Sequence, residues 1–236
     1  MPPGREPSVP PGREPSVPGE APPPARPRDR VFLSGIILAA GASTRMGRPK
    51  QLLRVQGKSM LQRVLDETAA SCLDELVLVL GHRSEEILEA LRLPTRPPCR
   101  VVVNDRYAEG QSSSLVLGLR STDPVAGAAA IVLADQPSLS ADLIDRVAGA
   151  FVEAGAPVAR PVYTDSTGGP VPGHPVFLAR SMWAELARLE GDRGARDLLS
   201  DRKGLVYEIS LAGGGPVDVD TPEDLSRFRN ELLDSA

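Results

Sequence analysis

Four short apolar runs punctuate the first half of the chain and predict buried strands. They are rich in leucine and β-branched residues, and they lie at Leu33 to Ala39, Glu75 to Leu80, Arg100 to Val103 and Ala129 to Ala134. Continuous apolar runs of this length are typical of parallel strands covered on both faces. Segments with helical spacing of apolar residues separate them. The alternation predicts an α/β fold with an open, doubly wound, mostly parallel sheet of the Rossmann-like type.

Polar start signals mark the helices between these strands. Ser59 is placed to cap a helix, with Gln62 three positions later, a pair that satisfies free amide groups at a helix start. The next helix begins at Ser84, and a third follows Gly110. A fourth runs from about Ala141 to Ala154. In such a sheet, ligands bind outside the carboxyl ends of the strands, so we expect the functional residues in the loops at that edge.

The second half of the chain is more mixed. We expect a mobile loop beside the site at Tyr163 to Gly173, which is rich in glycine, proline and hydroxyl groups. A final helix begins at Pro222, with Thr221 as its cap. The other predicted elements are strands at Pro157 to Val162, His174 to Leu178 and Leu205 to Ile209, and helices at Arg180 to Leu189 and Gly194 to Leu199.

The first 30 residues differ in composition from the rest. They hold 11 of the 24 prolines and an eight-residue tandem repeat, P-P-G-R-E-P-S-V, at Pro2 to Val9 and Pro10 to Val17. So little apolar surface cannot offset chain entropy, so we predict a disordered tail over residues 1–30. Residues 31–236 are long enough for a single large α/β domain.

Charge and cysteine content narrow the partners. With 27 Lys and Arg against 31 Asp and Glu, the net charge is −4, which argues against a nucleic-acid surface. No run of 18 apolar residues and no signal-peptide core are present, so we expect a cytoplasmic protein without a membrane partner. Cys72 and Cys99 are predicted to be reduced structural thiols.

The most informative stretch is I-I-L-A-A-G-A-S-T-R-M-G-R-P-K at Ile36 to Lys50. A predicted strand runs directly into a loop that holds Gly41 and Gly47, and glycines allow close approach of the backbone to a ligand. Three cations lie within six positions of this loop: Arg45, Arg48 and Lys50. Inward amide groups together with these charges predict a polyphosphate site.

The spacing of this loop excludes two common nucleotide motifs. The dinucleotide fingerprint needs a second glycine where Ser43 stands, and the NTPase P-loop needs G-K-[S/T] after four intervening residues. Here five residues lie between Gly41 and Gly47, and the residue after Lys50 carries no hydroxyl group. The phosphate site is therefore of another kind.

Acidic residues at the same predicted sheet edge indicate a divalent metal. Asp135 ends the fourth strand, and Asp218 and Asp220 flank Val219. Alternating side chains point to opposite faces, so one of that pair reaches the ion. We favour Asp220, with Asp218 structural. Two carboxylates facing a polyphosphate suit Mg²⁺.

Other catalytic chemistries find little support. The chain has two histidines, His82 and His174, and no paired cysteines, so a zinc ligand set cannot be assembled. No Ser-His-Asp triad is recognisable, and Ser112 to Ser114 suit phosphate, base or helix-cap contacts better than nucleophilic attack.

Taken in order, these segments resemble the nucleotidyltransferases that mature the molybdenum cofactor, the molybdopterin cytidylyltransferases and guanylyltransferases. The resemblance covers about residues 34 to 230. Its motifs are L-A-A-G-A-S-T-R-M-G-R-P-K (38 to 50), V-L-G-H (79 to 82), N-D-R-Y-A-E-G-Q-S-S-S-L (104 to 115), A-D-Q-P (134 to 137), G-H-P-V-F (173 to 177), G-D-R-G-A-R-D-L-L (191 to 199) and D-V-D-T-P-E-D-L (218 to 225). The first motif alone marks only the wider NTP transferase superfamily.

The resemblance implies that CTP or GTP binds over the Gly41 loop and that the molybdopterin phosphate attacks the α-phosphorus, releasing pyrophosphate. It implies catalytic roles for Arg45, Lys50 and Asp135, with Mg²⁺ held by Asp135 and Asp220. Acceptor contacts would come from His174, Asp192 and Arg193. The implied nucleotide-binding residues are Leu38, Ala39, Ala40, Gly41, Ser43, Gly47, Lys50, Gly81, Asn104, Gly110, Ser112 and Ser113.

Ala40 favours CTP over GTP, because family members resembling the guanylyl enzymes tend to carry L-A-G-G at this place. Other functions stay open. The acceptor could be another phosphorylated metabolite, and some relatives are oxidoreductases of catabolic pigments. The chain could also be a chaperone that delivers cofactor to a molybdenum hydroxylase apoenzyme, with the proline-rich tail as its docking arm.

Overall fold

The computed structural model contains one large sheet and a separate small hairpin. It describes residues 30–43, 48–165, 167–187, 203–212 and 214–234. Within these ranges the large sheet comprises β1 (Leu33–Ala39), β4 (Glu75–Leu80), β5 (Cys99–Val103), β6 (Ala128–Leu133), β7 (Val158–Thr164), β8 (Pro170–Pro172), β9 (Val176–Ala179) and β10 (Val206–Ser210). The hairpin pairs β2 (Arg54–Val55) with β3 (Lys58–Ser59).

Six α-helices are described. They are α1 (Met60–Ala70), α2 (Ser84–Glu89), α3 (Gln111–Arg120), α4 (Ala141–Ala154), α5 (Trp183–Leu186) and α6 (Pro222–Asp234). Short 3₁₀ turns lie at Lys50–Leu52, Tyr107–Glu109, Arg180–Met182 and Lys203–Leu205. The predicted strands and helices of the first half are confirmed to within a residue or two.

Strand order places a topological switch beside β1. The sheet runs β10-β7-β9-β6-β1-β4-β5, with β8 paired to β7. Strand β1 is parallel to both β4 and β6, and β4 is parallel to β5. After β1, the chain adds β4 and β5 on one side of β1. It then adds β6 on the other side of β1. The predicted doubly wound, mostly parallel fold is confirmed, and such a switch opens a crevice at the carboxyl ends of the strands.

Two strands, β8 and β9, depart from the parallel pattern, and β8 runs antiparallel to β7. Strand β9 runs antiparallel to both β6 and β7. Its first residue, Val176, pairs with Ile131 near the carboxyl end of β6. The turn at His174 therefore lies on the same side of the sheet as the loop that follows β6.

The two faces of the sheet are covered by different helices. On one face, α1 and α4 bury Leu61, Val64, Ile144 and Val147. On the other face, α3 and α5 contribute a second apolar group, Leu115, Leu119 and Leu186 among them. Burial on both faces explains why the central strands are almost wholly apolar, since β4 has no exposed residue.

Two helices begin at serine caps, of which the one at Ser59 was predicted. The Ser59 hydroxyl accepts a hydrogen bond from the Gln62 amide at 3.2 Å, and Ser140 accepts one from the Leu143 amide at 3.2 Å. Each cap satisfies a backbone donor that has no partner within its helix. These local signals explain why the bounds of α1 and α4 were legible.

The prediction of a loop at Tyr163 to Gly173 is wrong, because β7 and β8 form a hairpin there. Asp165 organises the turn: one carboxylate oxygen accepts hydrogen bonds from the Thr167 and Gly169 amides, both at 2.8 Å. Gly168 takes a φ of 83°, which glycine adopts without steric cost. Proline in β8 is tolerated because this short strand lies at an edge.

Several predictions fall outside the described residues. These are the tail over residues 1–29 and the helix at Gly194 to Leu199. Of the helix predicted at Arg180 to Leu189, the described part is a 3₁₀ turn followed by α5. The domain boundary near residue 30 therefore stays a prediction.

Candidate active site

The loop that leaves β1 lies at the carboxyl edge of the sheet, beside the switch. Residues 40–43 of this glycine loop are described, whereas Arg45 and Gly47 lie outside the described residues. A side-chain carbon at Gly41 would meet no atom within 4 Å, so the space before it is open to a ligand. The left-handed backbone belongs to Ser43, with φ 52°, and not to Gly41. The left-handed turn of the loop therefore lies two residues after Gly41.

Lys50 joins two acidic residues from distant parts of the chain. Its Nζ lies 2.7 Å from Asp135 Oδ2 and 2.6 Å from Asp220 Oδ1. The lysine side chain is only 15% exposed, against 23% for Asp135 and 49% for Asp220. Desolvation by itself lowers the pKa of Lys50, but the charges and hydrogen bonds of both carboxylates raise it above its ordinary value. A permanent positive charge thus stands at this edge of the sheet.

A backbone contact brings Asp220 to the site. The Val219 amide donates to the Asp135 carbonyl at 2.9 Å, and the Val219 side chain is completely buried. It packs with Met60 of α1 and Phe228 of α6 in a small apolar cluster that also includes the hairpin β2–β3. Burial of Val219 therefore fixes where the carboxylate that follows it projects.

Asp218, on the other side of Val219, has a different contact. Its Oδ1 accepts a hydrogen bond from Gln136 Nε2 at 2.8 Å. Partial desolvation raises its pKa above the ordinary value, and the negative charges of Asp135 and Asp220 act in the same direction. Asp220 thus contacts Lys50 whereas Asp218 contacts Gln136, and the expectation that only Asp220 reaches a metal ion stays a prediction.

A cleft of about 570 Å³ opens between the glycine loop and α3. Lys50 and Asp135 lie on its wall. The remaining lining residues are Leu38, Ala39, Ala40, Gly41, Ala42, Gln51, Tyr107, Ala108, Gly110, Gln111, Ser114, Leu133 and Ala134. Backbone-rich lining of this kind leaves amide groups available to anionic oxygens.

The far wall of the cleft contains some of the predicted nucleotide contacts, and these roles stay predictions. Asn104 is 5% exposed, and its Nδ2 donates to the hydroxyls of Ser113 and Ser114, both at 2.9 Å. Its Oδ1 accepts from the Arg106 amide. These bonds make Asn104 a support of the turn. Ser114 lines the cleft, whereas Ser112 is buried and, like Ser113, is not part of the lining.

Gly81 supports the glycine loop from behind. A side-chain carbon there would lie 2.7 Å from the Ala40 carbonyl oxygen and 2.8 Å from Tyr107 Cβ. The next residue, His82, donates its amide to the Ala40 carbonyl at 3.3 Å, and its Nδ1 lies 3.2 Å from the Tyr107 hydroxyl. Gly81 therefore acts by close packing, and Tyr107 is a cleft residue that the motif reading missed.

Asp135 retains capacity for a metal ion. Its Oδ1 is buried and has no hydrogen-bond partner among the described residues, and such an orphaned carboxylate oxygen is costly unless something binds it. Within the part of the chain that the structure describes, no three or more His, Cys, Asp or Glu side chains group closely enough to hold a metal by themselves. The donor set fits an ion that takes further ligands from phosphate.

The predicted acceptor residues divide by position. His174 lies in the turn before β9, where its carbonyl is 3.5 Å from the Tyr163 hydroxyl, and it does not line the cleft. Asp192 and Arg193 lie outside the described residues. Their roles stay predictions.

Cys72 and Cys99, both described, form no disulfide bond, and burial raises the pKa of Cys99 to about 11. No helix in the described ranges has both the length and the apolar character needed to cross a bilayer.

Comparison with known proteins identifies the family. PucB, a purine catabolism protein of Bacillus subtilis (strain 168), is 30% identical over 209 residues, which cover 85% of this chain and 98% of PucB. Nicotine blue oxidoreductase of Paenarthrobacter nicotinovorans is 29% identical over 203 residues, with coverage of 85% and 98%. The crystal structure of Rv0371c from Mycobacterium tuberculosis H37Rv superposes with a TM-score of 0.74 at 32% identity, covering 85% of this chain and 98% of Rv0371c.

A nucleotidyl transferase from Methanothermobacter thermautotroptrophicus shares the fold, with a TM-score of 0.66 at 23% identity, 87% of this chain and 99% of that one. The family model of the MobA-like NTP transferase domain matches residues 35–205, a range that holds the glycine loop, Lys50 and Asp135. The chain therefore belongs to the MobA-like NTP transferase family.

Proposed function

We propose that this protein transfers a nucleotidyl group, CMP in preference to GMP, from a nucleoside triphosphate to the phosphate of molybdopterin and releases pyrophosphate. Membership of a nucleotidyltransferase family supports the reaction type. The seven motifs that resemble molybdopterin cytidylyl- and guanylyltransferases support the acceptor.

The observation that carries the proposal is the bridge from Lys50 to Asp135 and Asp220 at the wall of the cleft. Packing alone does not explain a lysine that is held by two carboxylates beside an open loop. Its charge is positioned where the triphosphate of a nucleotide over the glycine loop would lie. Preorganised charge of this kind stabilises the transition state of phosphoryl transfer without further reorganisation.

The reaction balances without a general base. An oxygen of the acceptor phosphate forms a bond to the α-phosphorus of the nucleotide, and the bond between that phosphorus and the oxygen bridging to the β-phosphate breaks. A phosphate monoester has a second pKa of about 6 and is largely dianionic at neutral pH. The chain's residues then have two tasks, to align the two phosphates and to offset their negative charge.

A divalent ion fits this site. Asp135 Oδ1, which is buried without a partner, and the half-exposed carboxylate of Asp220 would hold Mg²⁺. When bound, the ion supplies neutralisation of charge on the phosphates. A crystal structure of Rv0371c in complex with manganese, 30% identical to this chain with a TM-score of 0.70 and coverage of 85% and 98%, supports a divalent ion in this family.

Preference for CTP rests on Ala40. This residue is 5% exposed and lines the cleft. Its Cβ lies close to Gly81, on the side where Tyr107 also approaches. We infer the preference from the resemblance, because guanylyl-like members tend to carry L-A-G-G where this chain has L-A-A-G, and the extra methyl group leaves less room for a purine.

The test is turnover with purified components. The protein is incubated with Mg²⁺, molybdopterin and each of CTP, GTP, ATP and UTP, and both pyrophosphate and the dinucleotide product are measured. We expect release that depends on the cofactor and is selective for CTP. Selectivity for GTP would refute the role of Ala40, and nucleotide binding without release would indicate another phosphorylated acceptor. Absence of nucleotide binding would refute the proposed use of the cleft.

A second activity is raised by the name of one relative, nicotine blue oxidoreductase. Ser43 occupies the place where a nicotinamide fingerprint requires glycine. We therefore expect no change in nicotinamide absorbance when the protein is mixed with NAD(P)H and pigment acceptors. Oxidation of NAD(P)H that depends on the protein would favour this alternative.

A further inference from the structure

Gln51 is a buried polar residue that the proposed reaction does not yet use. It follows Lys50 directly and is 2% exposed. Its Nε2 donates to the carbonyl oxygens of Ala39 at 2.9 Å and Gly41 at 3.1 Å. Its Oε1 accepts a hydrogen bond from the Ser43 hydroxyl at 3.2 Å. Both polar ends of the side chain are therefore used on the glycine loop.

Gln51 holds two of three consecutive carbonyl groups in that loop. The carbonyl between them, that of Ala40, accepts a hydrogen bond from the His82 amide at 3.3 Å. All three oxygens are thus engaged by protein donors at the place where the loop lines the cleft. A carbonyl oxygen carries partial negative charge and repels phosphate, whereas an amide N–H attracts it. A loop that receives a polyphosphate must keep its carbonyls tied in this manner.

A second link connects Gln51 to the position of Lys50. The Ser43 hydroxyl donates to Gln51 and accepts a hydrogen bond from the Lys50 amide at 3.1 Å. Ser43 has a left-handed backbone, with φ 52°, a conformation that non-glycine residues keep when surrounding contacts hold it. The bond from Gln51 supplies one of these contacts. The same amide side chain therefore fixes both the loop and the start of the lysine.

We propose that Gln51 is a positioning residue for the triphosphate, which acts by holding the carbonyls of Ala39 and Gly41 away from the bound phosphates. The inference rests on the proposed function, because it requires a polyphosphate over the glycine loop. It differs from a packing role in one respect. Packing requires the volume of the side chain, whereas positioning requires its two N–H donors.

The variant Gln51→Glu tests this distinction at constant shape. Its carboxylate faces two carbonyl oxygens and cannot donate, so both oxygens are released or repelled. We expect affinity for the triphosphate that the wild type binds, CTP or GTP, to fall about 100-fold, because the released carbonyl oxygens would face the phosphates. Affinity for the corresponding monophosphate should change by less than about tenfold. The measurement is isothermal titration calorimetry on the full chain.

The pH dependence of triphosphate binding provides a second readout for the same variant. A buried glutamate that faces two carbonyl oxygens has a raised pKa, and its protonated form again offers one donor to a loop carbonyl. Triphosphate binding by Gln51→Glu should therefore recover as the pH falls, relative to the wild type at the same pH. The matched control is Gln62→Glu on α1. Gln62 also donates its amide to a backbone carbonyl, that of Arg92 at 3.0 Å, but lies outside the cleft lining.

A second substitution covers the case in which Gln51→Glu does not fold. Gln51→Met keeps the volume but has neither donor nor titratable group, so it should lose triphosphate affinity without recovery in acid. Equal losses for triphosphate and monophosphate, or unchanged affinity for both, would overturn the inference while the proposed function stands. A wild-type protein that binds no triphosphate would overturn the proposed function and this inference together.

Discussion

Replacement of Lys50 by methionine separates the catalytic contribution of the charge from its contribution to stability. Methionine has a similar length and no charge, so Lys50→Met leaves Asp135 and Asp220 without their shared partner. For transfer, the variant loses one preorganised positive group beside the phosphates. Loss of such a group costs about 10²- to 10³-fold in turnover, and we expect a fall in kcat of this size.

The expected loss of stability is smaller and can be worked from the exposures. The contact with Asp135 is mostly buried, and a charge-assisted hydrogen bond of this kind contributes about 1.5–3 kcal/mol. The contact with Asp220, half exposed, contributes less than about 1 kcal/mol. Part of this sum is offset because the variant no longer buries an ammonium group. We expect a net loss of about 2 kcal/mol, which lowers Tm by about 4–8 °C for a domain of this size.

Two assays check these numbers. Thermal unfolding in EDTA gives the loss of stability, and addition of Mg²⁺ should raise Tm more in Lys50→Met than in the wild type, because two unpaired carboxylates attract the ion. Pyrophosphate release gives turnover. The matched control is Lys58→Met: Lys58 lies 2.6 Å from Asp66 in an exposed pair and should cost less than about 1 kcal/mol without an effect on turnover. Near-wild-type turnover by folded Lys50→Met would refute the assignment.

Three further predictions follow from close contacts and charge. Gly118→Ala places a carbon 2.5 Å from Ile36 Cγ2 in the core and should reduce the free energy of unfolding by about 1–3 kcal/mol in urea titrations, without a selective effect on nucleotide affinity. Gly81→Ala places a carbon 2.7 Å from the Ala40 carbonyl oxygen, so titration with CTP or GTP should show weaker binding than in the Gly118 variant; equal affinity in the two would contradict this account. The raised folded-state pKa of Asp218 means that the folded protein binds its proton more tightly than the unfolded chain does, so stability from this group falls as pH rises above its ordinary pKa of 3.8. Asp218→Asn should remove this slope in metal-free buffer and gain stability relative to the wild type towards neutral pH, and an unchanged slope in urea titrations would contradict the sign.

Much of the fold could be predicted from local signals in the sequence. Continuous apolar runs predicted the central strands, because burial on both faces leaves no alternation, and the cap at Ser59 predicted the start of α1. The position of Asp135 beside the glycine loop followed from parallel strands ending at one edge. The antiparallel β9 and the hairpin at Asp165 were missed. Both depend on which strands meet in space, and short edge strands that contain proline resemble loops.

The site was harder to predict where a contact joins distant parts of the chain. Sequence spacing favoured Asp220 over Asp218, and the structure shows why they differ, because Val219 is buried between them. Nothing in the local pattern distinguished Gln51 from any polar residue after a lysine. Its importance appears only when the carbonyls of Ala39 and Gly41 are seen to converge on it. Asn104 was predicted to contact the nucleotide, and the structure adds that its side chain supports a turn.

The bond from Val219 to Asp135 has a consequence for the order in which the site is completed during synthesis. The glycine loop, Lys50 and Asp135 all emerge from the ribosome before the segment that carries Asp220. A nascent chain can therefore build β1, β4, β5 and β6 while Lys50 faces only one carboxylate. Only after α6 has docked on the hairpin β2–β3 does the second one arrive. The candidate metal pair is therefore complete only when the last described helix has packed against the hairpin.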